Sequence, residues 1–149
     1  MTLGPGVGSR PSLRRTGSQR ILVAEDDAQT REQVVDAFVE DDHEVFGLES
    51  GDDLAECLAL VARHFLRAPD LVAVGIPMMR HSDVSALEGL REVGWTTPVV
   101  FMTWFAPLHV RRRIVRAGSA VVIAKPFDVA ELRSAAAHVC AHVDAHVDE

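Results

Sequence analysis

Residues Ile21–Asp27, I-L-V-A-E-D-D, constrain this chain more than any other stretch. Four apolar residues without polar alternation suit a strand covered on both faces, as parallel strands between two helical layers are. Three consecutive acids then fall where that strand ends and the chain turns. Carboxylates so close repel one another, so water, a cation or a basic side chain must hold them. Two readings stay open at this point. Either Asp27 caps the next helix and the other acids are solvated, or Glu25 and Asp26 belong to a site at the carboxyl edge of a sheet.

From Arg20 onward, strand and helix signals alternate. Strands are expected at Ile21–Glu25, His43–Leu48, Leu71–Val74, Pro98–Thr103 and Ala120–Ala124. The first helix is expected at about Ala28–Glu40, with Asp27 as N-cap. Ser50 opens a second helix with the stripe Leu54, Cys57, Leu58, Val61, Phe65. A short third carries Val84, Leu87 and Leu90, and a fourth spans about Pro107–Ala117, stopped by Gly118. The last, capped by Asp128, places Val129, Leu132, Ala136, Val139 and Val143 on one face. Met1–Gln19 is rich in Gly, Ser, Pro and Arg and is expected to be a disordered tail, leaving residues 20–149 as a single domain. Gly4–Gly8 has no strand before it and no helix after it, so it is not a nucleotide loop.

The fold class that follows is α/β, an open parallel sheet with helices on both faces. Such sheets bind ligands at the carboxyl ends of their strands, at a topological switch point. Glu25 and Asp26, Gly75, Thr103 and Lys125 all fall on that edge. Lys125 is the single lysine among 15 basic residues.

Composition removes several function classes. The net charge is −7, and setting aside Arg10, Arg14 and Arg15 of the acid-free tail leaves −10 on the remainder, which argues against direct DNA binding. No apolar run is long enough for a membrane span. Cys57 and Cys140 are expected to be reduced core residues of a cytoplasmic protein.

The segments I-L-V-A-E-D-D at 21–27, P-D-L-V-A-V at 69–74, P-V-V-F-M-T at 98–103 and A-K-P-F-D at 124–128 resemble the receiver domain of two-component response regulators. The resemblance covers about Arg20–His142. It implies a flavodoxin-like, doubly wound five-stranded sheet of order 2-1-3-4-5. It also implies two acids that bind Mg²⁺, an aspartate ending strand three that accepts a phosphoryl group from a histidine kinase, and a hydroxyl and a lysine that contact that group. Glu25 and Asp26 match the acids, Thr103 the hydroxyl and Lys125 the lysine. Gly75 stands where the acceptor belongs and cannot be a nucleophile. Met79 replaces the usual proline four residues on, Trp104 follows the hydroxyl, and Val122 replaces the aromatic switch residue.

The resemblance therefore implies a degenerate, stand-alone receiver that acts by protein contacts, with no catalytic residue and no cofactor beyond weak Mg²⁺ at Glu25 and Asp26. Trp104 is expected to fill part of the space left beside Gly75, and Glu25 and Asp26 to share a polar cluster with Lys125, with Asp26 as its pairing partner. The expected interaction face, formed by the fourth helix, fifth strand and last helix, includes Arg112, Arg113, Arg116 and Val122. Its partners would be a histidine kinase or another regulator, or a second copy as a homodimer, with no membrane. The alternative keeps phosphorylation on Asp26 or Asp27 with Mg²⁺. An unrelated α/β enzyme is the weakest reading, since no phosphate loop or nucleophile–base set is visible. His138, His142 and His146, four apart on the last helix, have the spacing of metal ligands but are expected to form a solvated face.

Overall fold

The computed structural model describes residues 17–49 and 68–147, with side chains through residue 141. The expected tail up to residue 16, the second helix from Ser50 to Phe65 and Cys57 lie outside the described residues. Strands β1 (Arg20–Ala24), β2 (Glu44–Leu48), β3 (Leu71–Gly75), β4 (Val99–Thr103) and β5 (Ala120–Ala124) form one sheet. All neighbours are parallel, and the order is β2-β1-β3-β4-β5. The described helices are α1 (Ala28–Glu40), α2 (His81–Glu92), α3 (Leu108–Ala117) and α4 (Val129–Val147).

The apolar strand runs are explained by cover on both faces. Every residue of β3 and β4 is buried. Because successive side chains leave a strand on opposite sides, each strand feeds two separate cores. Leu22, Val72, Val74 and Phe101 meet Val84 and Leu87 of α2 and Val110 and Ile114 of α3 on one face. Ile21, Val23, Ala73 and Met102 meet Val34 and Phe38 of α1 and Leu132 and Val139 of α4 on the other.

Helix ends follow local chemistry. Pro107 is the N-cap of α3, where it has no N–H to leave unpaired and its carbonyl accepts from the Val110 and Arg111 N–H groups, each at 3.0 Å. Gly118 ends the helix at φ 95°, a left-handed conformation that disfavours a side chain. The sheet order reverses between β1 and β3, so the residues closing those two strands, Glu25 and Gly75, flank the switch point. No described helix is long and apolar enough to cross a membrane.

Candidate functional site at the carboxyl edge

The Glu25 backbone N–H donates to Leu48 O at 3.0 Å, prolonging the β1–β2 ladder one residue past the strand. That extended backbone turns the side chain inward, where the residue is only 1% exposed. Its Oε1 lies 2.8 Å from Lys125 Nζ, and the lysine side chain is itself only 6% exposed. Its Oε2 accepts from the Asp27 N–H at 3.0 Å. Oε1 accepts no well-aligned hydrogen bond, so the ammonium satisfies it by charge alone. Lys125 is fixed in turn by its own N–H, which donates to Thr103 O at 2.7 Å.

Gly75 explains why the carboxylate fits. A Cβ at position 75 would overlap Glu25 Oε1 and stand 2.5 Å from its Cδ. What glycine supplies here is space, and Glu25 occupies it. This corrects the expectation for Trp104: the indole is 61% exposed and does not fill the gap. It lies instead over the ammonium, with Lys125 Nζ 5.8 Å from the ring centroid, near enough for a cation–π attraction. Of the expected cluster of Glu25 and Asp26 with Lys125, only the Asp26 part is corrected. Glu25 is the partner, and Asp26 is exposed with no ion pair among the described residues.

Asp27 caps α1, its Oδ2 accepting from the Thr30 N–H at 2.9 Å and the Thr30 hydroxyl at 2.7 Å. These bonds, the hydroxyl first, hold its carboxyl below the ordinary 3.8. Since the folded value is the depressed one, the stabilisation is complete above the unfolded value and fades as pH falls through the folded one. Asp27→Ala is therefore expected to lower the melting temperature at neutral pH and to flatten its decline below about pH 4, while Asp27→Asn keeps a working cap. Melting curves followed by circular dichroism across pH check this.

The Thr103 hydroxyl is buried and committed to neighbouring loops. It can donate to Pro77 O at 3.1 Å or Phe105 O at 3.2 Å, and it accepts from the Phe105 N–H at 3.3 Å. The loops after β3 and β4 are joined further by Met79 N–H to Phe105 O and Trp104 N–H to Pro77 O.

The four residues expected on the interaction face are not equivalent. Arg112 and Arg116 are exposed. Val122 is half-buried against the α2–α3 core. Arg113 is turned toward α2, where its Nη2 and Nε bond Glu88 Oε1 and Oε2 at 2.6 and 3.1 Å. The same guanidinium reaches His81 Nδ1 at 3.0 Å, and His81 Nε2 lies 3.4 Å from His109 Nε2. Residues on separate helices share no local spacing, which is why this cluster has no sequence signal. His138 is exposed on α4, the side chains of His142 and His146 lie outside the described residues, and no cluster of three metal ligands occurs among those described.

Comparison with known proteins agrees with this geometry. A family profile for the response regulator receiver domain matches residues 21–137. The transcriptional regulatory protein PdtaR of Mycobacterium tuberculosis is 30% identical over 114 residues, covering 76% of this chain and 53% of that protein. The regulatory protein AtoC of Escherichia coli is 28% identical over 117 residues, covering 78% of this chain and 24% of that protein. This chain thus spans about half or less of the length of these relatives. Among solved structures, a Francisella response regulator receiver domain superposes with a TM-score of 0.65 at 23% identity, covering 85% of this chain and 99% of that one. The Vibrio cholerae chemotaxis protein CheY4 gives 0.63 at 18% identity, covering 83% and 99%. With strand order, edge residues and sequence in agreement, the chain belongs to the response regulator receiver domain family.

Proposed function

We propose that this receiver signals through protein contacts and runs no phosphorylation cycle of its own. One observation carries the reading: the Glu25 carboxylate fills the space beside Gly75 and neutralises the buried Lys125. An acceptor carboxylate would need that space, and a phosphoryl group would need that ammonium. Both are spent within the fold. The donor set does not fit Mg²⁺ either. A hard divalent ion wants several oxygen ligands, yet Gly75 offers no side-chain oxygen, Glu25 faces an ammonium, Asp27 is engaged with Thr30, and Asp26 is left as the one uncommitted acid of the turn. A cofactor-free pocket is the reading these residues support.

The output surface in this proposal is the exposed side of α3 with the neighbouring loop. Trp104, Phe105 and Leu108 are 61%, 56% and 60% exposed beside Arg111 and Arg112. Aromatic and arginine side chains are the types enriched where proteins meet. The partner would be a kinase or another regulator. The net charge of −7 argues against DNA as the partner. The deciding experiment incubates the native chain with acetyl phosphate and Mg²⁺, and with a phosphorylated histidine kinase, and measures intact mass. No phosphoryl adduct is expected. An acid-labile adduct on Asp26 or Asp27 would overturn the proposal in favour of phosphorylation on a non-standard acid.

A further inference from the structure

Helices α1 and α3 carry exposed stripes of opposite charge and matching spacing. On α3, Leu108, Arg111, Arg112, Val115 and Arg116 recur at the three- and four-residue intervals that share one helix face, and together they line one shallow surface groove. Leu108 and Val115, at its two ends, are 60% and 64% exposed. Arg111 and Arg112, between them, make no ion pair among the described residues. On α1, Glu32, Asp36 and Val39 recur at the same kind of interval. Val39 is 52% exposed, and Glu32 and Asp36 make no ion pair among the described residues. Glu40, next on that face, is turned to Arg133 at 3.2 Å and is not counted.

We infer that a second copy of this chain docks its α1 acids on the α3 arginines of the first, with Val39 against one apolar end of the groove. The inference rests on reading the α3 face as an output surface and names its occupant. Charge complementarity selects the occupant, because the unpaired acids and unpaired arginines sit on equivalent helical faces of one molecule. The two stripes belong to opposite layers of the sheet, since α1 covers one core and α3 the other. A single pair of molecules therefore cannot close both contacts. The association is heterologous and continues head to tail. One helix-on-helix contact falls short of the roughly 1,000 Å² of a stable interface, so assembly depends on concentration.

Sedimentation velocity on the full 149-residue chain tests this. Runs would span about 5 to 200 µM at about 0.05 M and 0.5 M salt, a range across which the screening length shrinks several-fold. The weight-average mass is expected to rise with concentration at low salt, to pass beyond two copies, and to fall back to monomer at high salt. Arg111→Glu with Arg112→Glu, and separately Glu32→Arg with Asp36→Arg, should each be monomeric alone, because each carries two stripes of like charge. Mixed, they should associate again, which also shows that both are folded. A native monomer throughout, association that strengthens with salt, a species that stops at two copies, or a mixture that stays monomeric would overturn the inference. The phosphorylation test reads separately. A native monomer that takes no phosphoryl group removes this inference alone, and a labelled native chain removes only the proposed silence of the pocket.

Discussion

Gly75→Asp is expected to gain Mg²⁺-dependent labelling by acetyl phosphate that the native chain lacks, after first displacing Glu25. The two carboxylates cannot share the space, because a Cβ at 75 already overlaps Glu25 Oε1. Glu25 is the side that yields, since its carboxylate ends a flexible side chain and the obstacle is not backbone. The new carboxylate inherits Lys125, and Glu25 swings out toward the exposed Asp26. Three carboxylates then face one ammonium, and their repulsion is relieved by a divalent cation. The variant should therefore melt below the native chain without Mg²⁺ and recover as Mg²⁺ is added, by about 2.7 kcal/mol at a hundredfold excess over the dissociation constant. Gly75→Ala is the control. It expels Glu25 equally but supplies no acid, so it should lose stability and gain neither Mg²⁺ response nor label. A folded Gly75→Asp chain that stays unlabelled and indifferent to Mg²⁺ would place the block elsewhere, with the loop-bound Thr103 hydroxyl or Trp104.

Much of the fold was legible in the order of residues. Uninterrupted apolar runs such as Val99–Thr103 identify strands covered on both sides, and their alternation with amphipathic segments identifies a doubly wound sheet. The topology then brings Glu25, Gly75, Thr103 and Lys125 to one edge. Which acid pairs with Lys125 was harder to read, although strand geometry bears on it. Neighbouring side chains leave an extended backbone on opposite sides, so Glu25 and Asp26 cannot both turn inward, and the ladder bond from Glu25 to Leu48 fixes which one does. For Trp104, charge overrides bulk. An indole packed beside Gly75 would leave a buried ammonium without a counter-charge, a far costlier arrangement than a carboxylate in the same place. The Arg113 pair could not be read from the sequence for another reason: its partner Glu88 lies on a different helix, and periodicity within one helix cannot reveal it.

Lys125→Met should be the most destabilising single change at this edge, since it leaves the Glu25 carboxylate buried with no cation. Removing one partner of a buried pair costs about 3–5 kcal/mol, a large share of the roughly 5–15 kcal/mol that holds a domain together. At this size the melting temperature should fall by on the order of 10 °C or more. Glu25→Gln strands the ammonium instead and should also destabilise the chain. The double variant Glu25→Gln with Lys125→Met removes both charges, and its cost should be smaller than the sum of the two, with a coupling on the order of 1–3 kcal/mol from the completed cycle. Thermal melts of the four chains measure it. Additive costs, or a Lys125→Met chain melting within about 2 °C of the native one, would mean that water reaches the Glu25 carboxylate. The pocket would then be open, and the reason for regarding it as closed to phosphate would be gone. A large coupling would mean that the pair is a sealed structural unit, so the edge that could hold a transferable charge holds a fixed one.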